Sequence, residues 1–292
     1  MKILVIGKSG QLASELINLD IDDDVISLGR DDFDIFSKDS IQMHVARVKP
    51  DVIVNASAYT AVDKAESDVK AAYALNEKAV ADLASVAKQL NTRFIHVSTD
   101  FVFNGSTNTA YIPDDDADPA GVYGASKLAG ENAVRSIYPE NSAIIRTSWV
   151  YSSYGNNFVK TMLRLLEEKE ELGVVVDQIG CPTYARGLAE FIVALVKEGD
   201  LRMIYHWSDL GVASWYDFAV AIQELGYEQG LLSKKIPINP IASAQYPTPA
   251  KRPVFSLLNS NSSNNVLKSV HWIDNLKRCF ERSSFQETDF VQ

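Results

Sequence analysis

Cysteine and histidine are scarce in this chain, which has two cysteines and four histidines among 292 residues. Cys181 and Cys279 lie far apart in the sequence and fit neither a disulfide framework nor a metal-ligand spacing. The histidines form no His-x-x-x-His or Cys/His cluster, so the sequence predicts no metal site. So few cysteines favour a reducing compartment, and we expect a cytoplasmic protein.

Positive charge and long apolar runs are also lacking. The 28 Lys and Arg residues are outnumbered by 38 Asp and Glu residues, and the formal net charge is -10. This balance argues against a nucleic-acid partner, because such a protein needs a basic face. The first apolar run, in MKILVIGKSG, ends at Gly7; it is too short for a membrane span and does not resemble a signal peptide. We therefore expect no membrane association.

Short apolar segments alternate with helical patterns through the first half of the chain. The strand patterns are KILVIG, DVISLG, DVIVNAS, RFIHVST and AIIRTSWVY, and the helical patterns include QLASELINL, DSIQMHVARV and residues 69–90. Continuous apolar strands between helices are typical of a parallel sheet that is covered on both faces. The predicted fold class is therefore α/β, with a doubly wound parallel sheet of the Rossmann type.

The alternation weakens after about residue 150. NNFVKTMLRLLEEKEEL and SWYDFAVAIQEL are helical patterns, GVVVD and RMIYHWS are short strand patterns, and IPINPIASAQYPTPAKRP reads as an extended proline-rich loop. We predict an NAD(P)-binding domain over residues 1–150. A smaller mixed α/β substrate-binding domain is predicted over residues 151–292, returning a strand to the first sheet.

The turn after the first strand, GKSGQLA, carries Gly7, Gly10 and Ala13 at three-residue intervals. A turn that admits a pyrophosphate to its backbone N–H groups has no room for Cβ atoms, and the following helix start favours negative charge. The turn is a variant of the dinucleotide fingerprint, with Ala13 in place of the last glycine. Such turns also occur without a ligand, but the position after the first strand favours dinucleotide binding.

Arg30 stands where the second strand is predicted to end. An arginine at this place accommodates the 2′-phosphate of NADP(H), whereas an acid there binds the ribose 2′-hydroxyl of NAD(H). Arg30 therefore favours NADP(H). The acids Asp31, Asp32 and Asp34 follow it, so NAD(H) stays open, as does a solvated arginine with no role in binding.

Ser98 and Thr99 end the RFIHVST strand, and one loop later Tyr123 and Lys127 lie four residues apart in VYGASKLAGE. On a helix this spacing places the phenol and the ammonium on one face, one turn apart. A nearby ammonium favours the ionised phenol, so Lys127 is expected to lower the pKa of Tyr123 and tune it for proton exchange, unless the two form an ordinary surface pair. The order hydroxyl, tyrosine, lysine is the one that a Ser/Thr-Tyr-Lys active site requires.

These motifs, with VNASAYTAVDKAE, STDFVFNG, RTSWVY, GNNFVKTMLRL, DQIGCPT and YPTPAKRP, make the chain resemble the extended short-chain dehydrogenase/reductases, specifically the dTDP-4-dehydrorhamnose reductase family. The resemblance runs to about residue 255. It implies NADPH-dependent reduction of the 4-keto group of dTDP-4-dehydrorhamnose to dTDP-L-rhamnose, for polysaccharide biosynthesis. The alternatives are a reductase of a related nucleotide 4-keto-deoxysugar, a dehydratase or epimerase of the same fold, and a non-catalytic regulatory subunit.

The resemblance also implies roles for individual residues. Tyr123 would donate a proton to the 4-keto oxygen, Lys127 would bind the nicotinamide ribose, and Thr99 would hydrogen-bond the same oxygen. Besides Tyr123 and Lys127, the implied cofactor-binding residues are Gly7, Gly10, Gln11, Leu12, Arg30, Asp34, Ile35, Ala58, Tyr59 and Thr60. Besides Thr99, the implied substrate-binding residues are Val62, Asp100, Trp149 and Asn157.

Three residues depart from the family pattern: Ala13, Ser57, and Phe101 in place of a more usual tyrosine. Some family members are homodimers with Mg²⁺ held by acids at the interface, and Glu15 and Glu190 are candidates for such acids here. Acids on helix faces are usually only solvated, so Mg²⁺ is not supported and a homodimer stays open.

Overall fold

The computed structural model of the protein describes residues 1–282. Its strands are β1 (Lys2–Ile6), β2 (Asp24–Leu28), β3 (Val52–Asn55), β4 (Arg93–Thr99), β5 (Ser142–Thr147), β6 (Val150–Tyr151), β7 (Leu172–Val175), β8 (Ile179–Gly180), β9 (Thr183–Tyr184), β10 (Ile204–His206), β11 (Ala213–Ser214) and β12 (Ile238–Ile241). Its α-helices are α1 (Gln11–Ile17), α2 (Lys38–Val48), α3 (Val62–Ala65), α4 (Val69–Tyr73), α5 (Ala79–Gln89), α6 (Val122–Ile137), α7 (Phe158–Glu168), α8 (Ala185–Leu195), α9 (Trp215–Glu228) and α10 (Trp272–Phe280).

Six of the strands form one parallel sheet in the order β10-β5-β4-β3-β1-β2. The predicted doubly wound parallel sheet is therefore confirmed. Because β2 and β3 lie on opposite sides of β1, the strand order reverses there. Open α/β sheets bind their ligands beyond the carboxyl ends of the strands at such a point.

The alternation of side chains along β1 shows how the sheet is covered on both faces. Ile3 and Val5 pack on one face, in a core that includes residues of α1 and α8. Leu4 and Ile6 pack on the other face, against residues of α2, α5 and α6. Since successive strand residues point to opposite faces, a continuous apolar strand requires helices on both sides.

The second half of the chain builds its own core from α7, α9, α10 and short strands, with Tyr151, Leu163, Phe218 and Leu276 fully buried in it. It also supplies β10, which pairs in parallel with β5 at one edge of the large sheet. The domain boundary at residue 150 stays a prediction, and residues 283–292 of the second predicted domain lie outside the described residues.

Several local expectations need correction. The helical pattern over residues 69–90 is divided into α4 and α5 by a π-helical turn, Ala74–Lys78. The predicted proline-rich loop contains β12, which pairs in parallel with β7; Pro240 is tolerated because this ladder has only two strands. Helices α8 and α10 were not expected. Helix α8 is buried around most of its surface, so its apolar residues lack the one-sided period of a surface helix.

Candidate active site

The turn between β1 and α1 requires glycine at Gly7 and leaves open space at Gly10, as a dinucleotide-binding turn should. Gly7 has a φ of 115°, and a Cβ there would lie 3.1 Å from the backbone nitrogen of Ser57, so the fold itself requires glycine. A Cβ at Gly10 would meet no protein atom within 4 Å. The open space at Gly10 fits a ligand that approaches the backbone closely, as a dinucleotide pyrophosphate does. Ala13 is fully buried, so the methyl group at the third position fits between α1 and the sheet.

The next loop places Arg30 in solvent, where it makes no hydrogen bond or ion pair with any of residues 1–282. The Asp32 carboxylate accepts a hydrogen bond of 2.8 Å from the Gly29 N–H and lies 3.5 Å from Lys8 Nζ. The backbone hydrogen bond, aided by Lys8, lowers the pKa of Asp32. Asp32 therefore stabilises the turn, and Arg30 is left free for a ligand.

The remaining residues with predicted cofactor roles differ in what their side chains can reach. Asp34 is exposed and accepts from the Phe36 N–H at 2.9 Å, while Ile35 packs against the core. Leu12 is buried in the core, so only its backbone can face a cofactor. Ala58 and Tyr59 are half-buried and Thr60 is exposed in the loop after β3.

Asn76 holds two segments of the candidate site together, and the sequence did not single it out. Its Oδ1 accepts from the Tyr59 N–H at 2.8 Å, and its Nδ2 donates to the Tyr59 carbonyl at 3.2 Å and to Ser126 Oγ at 3.0 Å. This fully buried amide joins the loop after β3 to α6. The π-helical turn that contains Asn76 marks the place, since such turns are frequent at functional sites.

Helix α6 brings Tyr123 to Thr99. Gly124 allows the approach, because a Cβ there would lie 2.1 Å from the Phe101 carbonyl oxygen. The Tyr123 ring meets the Phe101 ring edge-on, with centroids 5.5 Å apart. The Thr99 hydroxyl donates to Asp100 Oδ1 at 3.1 Å and accepts from the Phe101 N–H at 3.2 Å. Hydroxyl, phenol and lysine thus lie together at the carboxyl end of β4.

The pKa values of Tyr123, Lys127 and Asp100 are all shifted by burial, and the pKa of Tyr123 is raised rather than lowered as expected. Burial raises the pKa of Tyr123 to about 12; a hydrogen bond with Thr99 lowers it and the charge of Asp100 raises it. The expected lowering by Lys127 is absent, since Lys127 Nζ donates to the Val97 carbonyl at 2.7 Å instead. Burial also lowers the pKa of Lys127 to about 8, against the opposing charge of Glu131. Burial raises the pKa of Asp100 to about 6. Tyr123 is therefore protonated at neutral pH.

Trp149 interrupts the predicted strand AIIRTSWVY, which is divided into β5 and β6. Its φ of 48° is in the left-handed region, where a bulky residue is an outlier, and such strain clusters at functional sites. Its ring stacks on Trp215 with centroids 3.7 Å apart, and a Cβ at Gly180 would lie 2.9 Å from the ring.

Val62, the other apolar residue with a predicted substrate role, is half-buried at the start of α3.

Asn157 is held mainly by the protein itself. Its Oδ1 accepts from the Lys160 N–H at the start of α7, and its Nδ2 donates to the Ser152 carbonyl at 2.7 Å and to Gln11 Oε1 at 3.0 Å. Gln11 in turn donates to the Val150 carbonyl at 3.3 Å. The two predicted site residues are therefore joined, and the Asn157 amide is engaged in helix capping rather than free to bind a sugar.

Two acids of the DKAE segment hold neighbouring segments of the candidate site in place, and neither was predicted. Asp63 forms a two-pronged ion pair with Arg252, at 3.0 and 2.8 Å, which ties the YPTPAKRP segment to α3. Glu66 Oε1 accepts from the Val122 N–H at 2.9 Å, at the first residue of α6. Glu66 thereby caps the helix that carries Tyr123, and the carboxylate suits the positive end of the helix dipole.

The candidate magnesium acids are bound to arginines. Glu15 is fully buried and accepts from Ser152 Oγ at 2.6 Å and from Arg282 at 2.7 Å. Glu190 pairs with Arg186 at 3.4 Å and Arg278 at 3.1 Å. Within residues 1–282, no group of three or more His, Cys, Asp or Glu side chains is arranged to hold a metal. In the same residues, no helix is long and apolar enough to cross a membrane.

Known proteins resemble this chain in sequence and in structure. A family model described as the RmlD substrate binding domain matches residues 1–285. A dTDP-4-dehydrorhamnose reductase of Sinorhizobium fredii is 40% identical over 287 residues, which are 95% of this chain and 96% of that protein. The chain belongs to the dTDP-4-dehydrorhamnose reductase family.

Further similarities agree with this assignment. The dTDP-4-dehydrorhamnose reductase of Aggregatibacter actinomycetemcomitans is 42% identical over 265 residues, 88% of this chain and 90% of that protein. The crystal structure of the Bacillus anthracis enzyme in complex with NADP has a TM-score of 0.89 and 33% identity, and covers 96% of this chain and 98% of that one. The predicted family is confirmed, and the match passes the expected limit at residue 255 to include α10.

Proposed function

We propose that this member of the family reduces the 4-keto group of dTDP-4-dehydrorhamnose with NADPH to give dTDP-L-rhamnose, for nucleotide-sugar and polysaccharide biosynthesis. One observation carries the proposal: the family's Thr99, Tyr123 and Lys127 lie together at the carboxyl end of β4, at the same edge of the sheet as the glycine turn after β1. The buried free thiols Cys181 and Cys279 suit the reducing cytoplasm, where we place this step. A homodimer stays open, but Glu15 and Glu190, bound to arginines, do not support a shared Mg²⁺.

The residues of this chain provide the proton and the binding contacts. The nicotinamide supplies the hydride when NADPH is bound. Tyr123 donates its proton to the substrate oxygen as negative charge develops there; with a pKa of about 12 it is fully protonated at neutral pH, and an alkoxide is basic enough to take its proton. The Thr99 hydroxyl donates a second hydrogen bond to that oxygen in place of its bond to Asp100.

We assign residues near the carboxyl ends of the strands to NADPH and to the sugar nucleotide. Gly7, Gly10 and Gln11 bind the pyrophosphate side of NADPH, and the loop of residues 58–60 passes along it. Val62, Asp100 and Trp149 line the sugar nucleotide, and the buried Asp100 carboxyl lies within hydrogen-bond reach of the Thr99 and Ser256 side chains. A dehydratase would need a second acid after Asp100, but Phe101 stands there and packs on Tyr123.

The test of this function mixes the purified protein with NADPH and dTDP-4-dehydrorhamnose, follows NADPH absorbance and identifies the sugar product. Stoichiometric oxidation with formation of dTDP-L-rhamnose is expected. Turnover only with another nucleotide 4-keto-deoxysugar would show that this other sugar is the substrate. Binding of NADPH without turnover of any such sugar would favour the regulatory-subunit alternative.

Gly10→Ala is expected to weaken NADPH binding by at least about tenfold, equivalent to about 1.4 kcal/mol. The methyl group meets no protein atom but enters the space proposed for the pyrophosphate. The free energy of unfolding should change by less than about 1 kcal/mol, because the φ of -79° suits alanine. Titration calorimetry and urea unfolding measure the two effects. Gly199→Ala, also in open space, is the control; equal NADPH affinity in both variants would contradict the assignment.

Arg30→Ala is expected to raise the KM for NADPH about tenfold and to leave the KM for NADH nearly unchanged, since only NADPH carries the 2′-phosphate. Steady-state kinetics with both cofactors measure the effect. Arg47→Ala, at the opposite end of α2 from this loop, removes the same charge and serves as the control. A similar loss with both cofactors would show that Arg30 does not bind the 2′-phosphate.

A further inference from the structure

Four polar side chains form a line that runs from the half-buried Ser57 to the buried Lys127. Ser57 Oγ donates to Asn55 Oδ1 at 2.6 Å, Asn55 Nδ2 lies 3.1 Å from His96 Nδ1, and His96 Nε2 lies 3.4 Å from Lys127 Nζ. Asn55 and His96 are opposite each other on the paired strands β3 and β4, and both are fully buried. Apart from Lys127, none of these residues has a role in the reaction described above.

The backbone decides which way the line is oriented. The Ser57 N–H, which can only donate, lies 3.1 Å from Asn55 Oδ1, so the amide oxygen must face Ser57. The Asn55 NH₂ group therefore faces His96 and donates to Nδ1. Burial, and then the charge of Lys127, lowers the pKa of His96 well below its ordinary value, so the ring is neutral and carries one proton. With Nδ1 accepting, that proton is on Nε2.

The Nε2–H group then points at Lys127 Nζ. An ammonium has three donors and no acceptor, so it cannot pair with an N–H donor, whereas a neutral amine accepts through its lone pair. The amine can still donate to the Val97 carbonyl. We propose that His96 is a positioning residue that disfavours the ammonium form of Lys127, and that Asn55 and the Ser57 backbone N–H set the tautomer of His96 for this purpose.

The other ionisable groups around Lys127 do not produce this effect. On α6, Glu131 lies one turn further on and raises the pKa of Lys127, although its carboxylate is paired with Arg146 of β5 and bonded to Ser98 of β4. Tyr123 lies one turn before Lys127, and the charge of Asp100 acts on Tyr123. His96 thus acts together with burial and against Glu131.

A plain core histidine is the alternative. His96 stacks on Phe94, with centroids 6.4 Å apart, and its other tautomer could accept from an ammonium at Nε2. That tautomer would require Asn55 to turn its oxygen to His96, and its NH₂ group would then oppose the Ser57 N–H. The alternative therefore loses the Ser57 backbone bond, and the structure favours the Nε2–H form.

Nitrogen-15 NMR of histidine-labelled protein tests the tautomer directly, with the His96 signals assigned by their loss in His96→Gln. Protonated Nε2 and unprotonated Nδ1 between pH 6 and 9 are expected; the reverse pattern, or a doubly protonated ring, would overturn the proposal. This measurement needs neither substrate nor activity, so it stands whether or not the proposed function does.

The effect on Lys127 is measured by its titration, followed through carbon-13 labelled lysine and, resting on the proposed function, through the pH profile of kcat/KM. His96→Gln offers the Lys127 ammonium an amide oxygen that can accept its hydrogen bond. The pKa of Lys127 should therefore rise by about one unit, so that deprotonation requires an about tenfold lower proton concentration. Ser57→Ala is the matched control: it removes the hydroxyl and keeps the backbone N–H, so the titration should not move. An unchanged titration in His96→Gln would show that His96 is only a core residue.

Discussion

Tyr123→Phe is expected to lower kcat by about 10²–10⁴, the usual contribution of a positioned general acid. The substitution removes one oxygen atom and keeps the ring that packs on Phe101. Folding and NADPH affinity should therefore stay close to those of the parent protein. Steady-state kinetics, NADPH titration and thermal unfolding measure the three quantities.

Tyr138→Phe is the control, since it removes the same atom at the opposite end of α6. Its kcat should be unchanged. Because burial places the pKa of Tyr123 near 12 and that of Lys127 near 8, a limb of kcat/KM near pH 8 belongs to Lys127 and should persist in the residual activity of Tyr123→Phe. Near-parental turnover of Tyr123→Phe would show that the phenol is not the acid.

Arg146→Ala is expected to destabilise the protein by about 3–5 kcal/mol, because it leaves the Glu131 carboxylate buried without its counter-charge. Arg146 on β5 is only 2% exposed, and its Nη2 and Nε donate to the fully buried Glu131 at 2.7 and 3.0 Å. The guanidinium also lies over the Phe103 ring, 5.1 Å from its centroid. Urea unfolding of parent and variant gives the difference in the free energy of unfolding.

The matched control is Arg164→Ala, which breaks the exposed pair Arg164–Glu168 on α7. An exposed pair four residues apart contributes only about 0.3–0.5 kcal/mol, so the unfolding curve should barely move. Arg146→Met combined with Glu131→Met removes both charges and should cost less than Arg146→Ala alone. Equal losses in the buried and exposed variants would contradict the role given to burial.

The two predictions are linked through α6. Glu131 anchors this helix to β5 through Arg146, two turns beyond Tyr123, and Glu66 holds its first N–H. A variant that loosens either contact should move the phenol relative to Thr99. Stability and catalysis therefore depend on the same helix here, although the acid itself contributes little to folding.

The amino-acid sequence by itself determined the features that repeat over a few residues. Unbroken apolar strands between helices implied a sheet covered on both faces, and β1 shows why, with alternate residues in two cores. The glycine turn and the four-residue spacing of Tyr123 and Lys127 are local as well, since each depends on one turn or one helix period. For that reason the sequence alone could predict a dinucleotide-binding turn and a tyrosine–lysine pair.

Only the tertiary structure decided how distant segments act on these residues. Asn76 reaches Tyr59, Glu66 reaches Val122, and Arg282 reaches Glu15, and no sequence period connects such partners. The same holds for acidity: spacing alone suggested that Lys127 would lower the pKa of Tyr123, but burial raises it. A pKa depends on the desolvation and charges that the whole fold brings to one atom, and these exist only once the chain has folded.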